Sequence, residues 1–546
     1  MRKKFVAVPL LALALAFTGC NAAPNSGESG GVQGFDPLDL KTTTDPGTSP
    51  VDVVNWGVVG GEPNTIDPAR AGNDPDYIAV ANMCDTLMRT TPEFGVEAGL
   101  AEAIDWNDEL TAVITVRDGV TFWDGSALTA EDVAYSLSRM SDPVSQSVNT
   151  GAFSSVESIE ASGPLEVTVT FSQHDAQFVN ALAGPAGYVF QEAFTTSVGE
   201  EKIGTPTGGI MCTGPFAFTE WNAGDSIVLT ANENYWDGVP LVSELRLEFV
   251  SDDTALSNGL ISGELDGAFN IPISAVSQLS SSDAGSMNFG PSTATMSLSP
   301  TRADGPGANV KIRQALSQAI DRESFIKATV GGYGSNVKTM VVPFLWEGSE
   351  NAPIYREGYD ALPELTYDVE AARAIVEASD PVERTLKLAT IAGETQVDQA
   401  ATIIQSAAEE IGLTVEVDKM PGTEFGTLFY EESVRADYDL VFTTGYVDSP
   451  GVLLYPEYFA MPEGLFNWTK YDNAEVATEL TEARRDADPA SAAESFVAAQ
   501  AVFAPEMLQI TLGQEYTRMY LSNELSGATV SFSYITTPWA LRLGGK

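Results

Sequence analysis

Along this chain, apolar residues alternate with polar ones in some stretches and recur every three or four residues in others. The two periods predict strands and amphipathic helices respectively. Residues 51–59 (VDVVNWGVV) read as a strand, followed by a turn-rich loop (GGEPNTIDPARAGNDPD) and a helix over Ala79–Leu87. TAVITVRDG alternates into Asp118-Gly119, and VTFWDG runs to Asp124-Gly125, which together suggest a hairpin. In LTAEDVAYSLSRM, Thr129 with Asp132 three residues on forms a capping box, and Val133, Leu137 and Met140 then share one helical face. A further alternating strand is LEVTVTFS (165–172). Ile312, Leu316, Ile320, Ile326 and Val330 recur at helical intervals and predict core positions. Val397, Ala401, Ile404, Ala408 and Ile411 line a helix that stops at Gly412, and Leu413, Val415 and Val417 then alternate as a strand. A helix feeding a strand is an α/β unit.

The N-terminus follows another pattern. The apolar run Phe5–Phe17 follows Arg2-Lys3-Lys4 and is too short to cross a bilayer, so residues 1–19 read as an export signal. Thr18-Gly19-Cys20 resembles a bacterial lipobox, with Phe17 standing where Leu is usual. Cys20 is therefore the expected lipidation site and membrane anchor, with plain secretion as the alternative. Residues 20–49, rich in Gly, Ser, Pro, Thr and Asn, predict a disordered tether spanning roughly 30 Å.

Composition narrows the function. The formal charge of -48 disfavours nucleic acid and anionic lipid surfaces as partners. With Cys20 acylated, Cys84 and Cys212 remain, either paired or as two buried thiols. The single histidine, His174, excludes multi-histidine metal sites, and no phosphate-binding loop or nucleophile elbow occurs. No cofactor and no catalytic residue is assigned, although a two-carboxylate hydrolase leaves no local motif.

Four segments in order carry a resemblance: LTAVITVRDGVTFWDGSALTAEDVAYSLSR (110–139), the stretch 212–269 beginning CTGPFAFTEW and ending SGELDGAF, VKIRQALSQAIDRESFIKATVGGYG (310–334), and YDVEAARAIVEAS (367–379). Together they resemble the family 5 extracellular solute-binding proteins of ABC importers, the dipeptide- and oligopeptide-binding type. The resemblance implies an α/β, two-lobed periplasmic-binding-protein-like fold of type II with an extra subdomain in lobe I. Two hinge crossings would join the lobes, near Ala268–Pro272 and Leu508–Gly513. Lobe I would span 50–268, with the inserted subdomain at about 90–200; lobe II would span 269–506, and 507–546 would return to lobe I.

By the same resemblance, a cleft closes over a small solute, most simply a short peptide, and presents it to a permease and ATPase complex at the outer face of the membrane. A monomer is expected. Opines, oligosaccharides and metal chelates are alternative solutes, and a secreted hydrolase or a sensor partner is an alternative role. In peptide-binding members an aspartate after a Gly-aromatic pair holds the ligand's α-ammonium. DLVFTTGYVDSPGVLLYPEYF (439–459) offers Gly445, Tyr446 and Asp448, with Tyr where Trp is common and a spacing about one residue short. Asp448 is the candidate anchor, its alternative role being the cap of the Ser449-Pro450-Gly451 turn. Tyr446 and Trp346 are candidate pocket walls, whereas Tyr77 and Trp123 read as packing.

Overall fold

The computed structural model describes residues 39–379 and 383–546. The first strand, Val51–Val59, lies at the centre of a seven-stranded sheet, parallel to Val242–Val250 on one side and Gly267–Ala268 on the other. Its inward Val54, Trp56 and Val58 are wholly buried, as the alternation predicts. Strands Gly285–Gly290 and Thr517–Ser522 close one edge of that sheet, and Ser226–Ala231 and Phe216–Asn222 the other. A second, six-stranded sheet is built around Thr295–Pro300, Leu440–Gly445 and Thr385–Ile391. The helix Thr395–Glu410 covers it with Val397, Ala401, Ile404 and Ala408, and Gly412, at φ +82°, turns the chain into Thr414–Met420. Each sheet has its own buried core, one around Trp56 and Trp539 and one around Leu298, Leu388 and Ile404. These are the two lobes.

The chain passes from the first sheet to the second between Gly290 and Thr295, and back between Glu515 and Thr517. The two crossings run side by side, because Gly290 pairs with Thr517 and Thr295 with Gln514. Both fall downstream of 268–272 and 508–513. The edge strand GSMNFG (285–290) is too polar and glycine-rich to register as an alternating strand, so its pairing with Thr517–Ser522 extends the first lobe unannounced.

A four-stranded antiparallel sheet, in the order Ala101–Asp108, Thr111–Val116, Glu166–Phe171, Val156–Gly163, forms the subdomain inserted in the first lobe. Thr111–Val116 therefore pairs with Ala101–Asp108 and Glu166–Phe171, and the VTFWDG segment contributes only an isolated bridge at Thr121. Helix Ala130–Ser141 packs on this sheet with the capping box intact and Val133, Leu137 and Met140 fully buried. The helix expected at Ala79–Leu87 runs Asp74–Met83 instead, capped by the Asn73 side chain with Pro75 in its first turn. Just after it, Cys84 is joined to Cys212, their Cα atoms 5.0 Å apart. Closing a loop of that length contributes on the order of 4–5 kcal/mol in the chain-entropy description.

Cys20 and the export signal lie outside the described residues. Residues 39–49 of the segment expected as tether are paired with the first lobe: the Lys41 N–H donates to the Phe289 carbonyl, Thr44 to Ala528, and Thr48 and Ser49 to Gly545. Extended backbone can pair through its own amides without any apolar signal. No helix among the described residues is long and apolar enough to cross a membrane.

Candidate functional site

The strand Leu440–Gly445 of the second sheet runs out toward the first lobe and delivers Tyr446, Val447 and Asp448 to the gap between the two. Local contacts explain the sequence here. A Cβ on Gly445 would sit 2.7 Å from the Tyr455 hydroxyl, which donates to the Tyr446 carbonyl at 3.0 Å, so only glycine lets that brace form. The Val447 carbonyl accepts from the Thr293 hydroxyl at 2.6 Å, tying the loop to one of the interlobe crossings. Beyond it, Ser449 comes against Gly184 of the first lobe, where a Cβ would stand 2.7 Å from the Ser449 Cβ.

Two cavities meet at this loop. One, of about 420 Å³, lies largely in the second lobe and is walled by Phe425, Phe429, Tyr446, Tyr455, Phe459 and Trp468, with Glu394 and Asp448 as its acids and no Lys, Arg or His. The other, of about 570 Å³, opens toward the inserted subdomain and shares Asp448, Leu454 and Tyr458 with the first. Its one cation, Arg484, is already held by Asp175 of the first lobe at 2.8 Å and Glu457 at 2.5 Å. That three-membered bridge, with the Ala176 N–H donating to the Arg484 carbonyl at 2.8 Å, fastens one lobe to the other.

Asp448 thus lies where both cavities and both lobes converge. Its contact with the first lobe is the Tyr77 hydroxyl, which donates to Oδ2 at 3.4 Å, and no cation lies within 4 Å among the described residues. Burial pushes its carboxyl above the ordinary range, against which its own backbone N–H and then the Tyr77 hydroxyl pull down. None of the N–H groups of the 449–451 turn donates to its side chain among the described residues. Tyr77, 2% exposed, packs its ring in the first-lobe core and turns only its hydroxyl to the site. Half-buried Tyr446 meets Phe532 of the first lobe edge to face, ring centroids 5.0 Å apart. Its phenol is pushed well above its usual range by burial and by the charges of Asp74, Asp448 and Asp76.

Trp346 is elsewhere. It is 3% exposed and belongs to a separate second-lobe cluster with Tyr355 and Tyr359, its ring centroid 6.3 and 6.0 Å from theirs, and it lines neither cavity. The VVPFLWEG context puts it on a single helical turn, Phe344–Glu347, whose buried side faces the cluster. Trp123 lies in the first lobe, its indole N–H donating to the Gly214 carbonyl at 3.0 Å. The structure adds Tyr455, Tyr458 and Trp468 to the neighbourhood. Of these, Tyr455 and Tyr458 recur on the helix after Asp448, and that spacing is the only signal in the sequence.

Comparison with known proteins gives consistent relations. The profile of the bacterial extracellular solute-binding proteins, family 5, matches residues 95–464. A glutathione-binding protein of Escherichia coli K12, GsiB, is 26% identical over 477 residues, covering 86% of this chain and 90% of its own length. Among solved structures, the oligopeptide-binding protein AppA of Bacillus subtilis, in complex with a nonapeptide, superposes with a TM-score of 0.75 at 19% identity, covering 92% of this chain and 100% of that one. NikZ of Campylobacter jejuni, in complex with Ni(L-His), gives a TM-score of 0.70 at 19% identity, with 88% and 96% covered.

Proposed function

Because the chain belongs to the bacterial extracellular solute-binding proteins of family 5, we propose that it closes its lobes over a short peptide, holds the peptide's α-ammonium at Asp448, and presents it to the permease and ATPase of an ABC importer. The observation that carries this reading is a carboxylate set where two cavities meet, without a protein cation. Burying an unpaired carboxylate is costly, and a ligand ammonium supplies the missing charge-assisted bonds. Tyr446 walls the same space, and Gly445 keeps its loop in place. The naming of GsiB for glutathione and the nonapeptide in AppA support a peptide as the solute class. Binding and release require no covalent step, so this reading makes the protein a carrier and not an enzyme.

Asp448→Asn is expected to weaken a free-amino peptide far more than its N-acetylated form, measured by calorimetric titration; equal losses would remove Asp448 from the ammonium role. A non-peptide amine is a second reading, favoured because Arg484, the cation on these walls, is committed to Asp175 and Glu457 and leaves no receptor for a peptide's terminal carboxylate. Native mass spectrometry of protein from its own host separates the readings: a ladder of short peptides supports the first, one defined amine the second. A hydrolase would release a product instead of the intact solute. The same reading makes Cys20 the lipidated residue, the segment after it the tether to the outer face of the membrane, and the functional unit a monomer.

A further inference from the structure

The two cavities that meet at Asp448 differ in chemistry. The one of about 420 Å³ is walled by rings of the second lobe: Phe425 from helix Gly422–Leu428, Phe429 just after it, Phe459 from helix Leu454–Ala460, Phe466 and Trp468 from the loop beyond, and Tyr446 at the end of its strand. The rings hold one another. Phe429 meets Phe425 and Phe466 edge to face, with centroids 5.5 and 6.1 Å apart, and Trp468 at 5.9 Å, while Phe466 meets Phe459 at 5.5 Å. Arg435 lies over the Trp468 ring, 5.2 Å from its centroid, and takes no part in the cavity wall. A lining braced ring against ring is preorganised for a flat apolar guest. Ser299, Thr443, Thr444 and Gln509 add neutral polar groups, and the charged ones are the acids Asp448 and Glu394. Glu394 is exposed, so water already serves it.

The cavity of about 570 Å³ has another lining. Its first-lobe side brings the amides of Asn149, Gln177 and Asn180 and the Thr150 hydroxyl, groups that both donate and accept, and among the described residues Tyr458 is its one aromatic member. A peptide whose α-ammonium sits on Asp448 carries two more groups on the same carbon, its first side chain and the carbonyl that begins its main chain. Main-chain N–H and C=O groups lose free energy in an apolar space and keep it beside amides and hydroxyls, whereas a large apolar side chain gains by leaving water. The main chain is therefore sorted to the amide-lined cavity and the side chain to the ring-lined one.

We propose that the ring-lined cavity selects the side chain of the peptide's first residue, and that the preferred solutes are short peptides beginning with an aromatic residue. This rests on the Asp448 reading of the site. At about 420 Å³ the cavity is within the range of pockets that enclose small ligands, so an alanine methyl leaves most of it unfilled. An acidic first side chain would meet two acids and no cation on this wall among the described residues. Because ammonium, side chain and main chain leave one carbon for three different places, inverting that carbon prevents all three from reaching them together.

The test is a calorimetric titration of the full chain with Phe-Ala-Ala, its D-Phe isomer, Ala-Phe-Ala, Ala-Ala-Ala, Lys-Ala-Ala and 2-phenylethylamine at pH 7. Phe-Ala-Ala should bind at least about tenfold more tightly than Ala-Ala-Ala, the scale of burying one large apolar side chain, and more tightly than the D-Phe isomer or Ala-Phe-Ala. Phe425→Ala should cut the preference for Phe-Ala-Ala over Ala-Ala-Ala several-fold, and Phe425→Leu should restore part of it. The comparison of ligands on the unmodified protein needs no variant to fold. Equal affinities for Phe-Ala-Ala, Ala-Phe-Ala and Ala-Ala-Ala, or tighter binding of Lys-Ala-Ala than of Phe-Ala-Ala, would overturn the inference while leaving the peptide reading intact. Equal binding of the D-Phe isomer would overturn the sorting on which the inference stands. Binding of 2-phenylethylamine and of no tripeptide would overturn the peptide reading and keep the ring-lined cavity as the site of an aromatic amine. Binding of none of the six would overturn both.

Discussion

Asp67 and Asp448 are both aspartates withdrawn from water, and the protein surrounds them in opposite ways. Asp67, with no exposed side-chain surface, receives both terminal nitrogens of Arg139 at 2.8 and 2.7 Å, and Arg139 also bonds Glu200. The pair ties the loop before helix Asp74–Met83 to helix Ala130–Ser141 inside the first lobe. Asp448 receives one long hydrogen bond from a phenol and one from its own backbone N–H, and no cation. Asp74 repeats the pattern, with one oxygen bonded by neutral donors and the other bare. Asp67 within the first lobe and Asp175 across the lobes are closed circuits, whereas Asp448 and Asp74 are open ones. An acid left open at a protein's own expense breaks a local rule, and such breaks are expected at functional or strained sites.

The contrast is broken most severely at its structural end. Arg139→Met would leave Asp67 buried with only the longer Arg70 contact at 3.5 Å, and a loss of about 3 kcal/mol is expected by urea denaturation. At the open end the sign reverses, because neutral Asn ends the burial cost of an unpaired charge. Asp448→Asn should leave the melting temperature of ligand-free protein unchanged or higher while its affinity for a free-amino peptide falls. A drop in stability like that of Arg139→Met would show that Asp448 is scaffold.

Asp74 sharpens the comparison through pH. Its carboxyl titrates at about 6 in the folded protein, above the ordinary value of 3.8, so between those values the folded state holds a proton that the unfolded chain has released. Stability in the ligand-free protein therefore falls as pH rises through that window. This one group contributes a difference on the order of 3 kcal/mol between pH 4 and pH 7. Subtracting the profile of Asp74→Asn from that of the unmodified protein isolates it, and a flat difference would mean the carboxylate is solvated. The smallest effect belongs to charges that water already serves. Lys419 and Asp398, 2.7 Å apart but 50% and 42% exposed, should matter by less than about 1 kcal/mol when Lys419 becomes Ala.

The sequence announced the closed circuits poorly and the scaffold well. Val133, Leu137 and Met140 or Val397, Ala401 and Ile404 repeat at the period of the helix they pack, so their burial was readable from spacing alone. The Asp67–Arg139 pair joins residues 72 positions apart and leaves no local trace. The candidate at Asp448 was legible through its Gly445-Tyr446 context, and the structure brings it to the meeting point of the two cavities. Trp346 misled because an aromatic residue in a loop-like context reads the same whether it faces a pocket or a cluster. Asp74 was hidden because it looks like an ordinary acid in a helix's first turn. Only the fold reveals that Asn270 and Tyr534, from segments almost 200 residues and more away, meet it there. The crossings were misplaced because a polar edge strand borrows its register from a partner far down the chain.

Helix Asp74–Met83 carries Asp74 and Tyr77 near one end and is stapled by Cys84–Cys212 at the other. Material produced in a reducing cytosol would lack that staple, and neither cysteine lies in a strand of either sheet. Such a preparation should pass a circular dichroism check yet show a lower fraction of binding-competent molecules, since the helix that carries Tyr77, the donor to Asp448, has lost its anchor. Counting free thiols beside each ligand titration, and requiring the active fraction to rise on reoxidation, turns this into a quality criterion for every affinity measured on the protein.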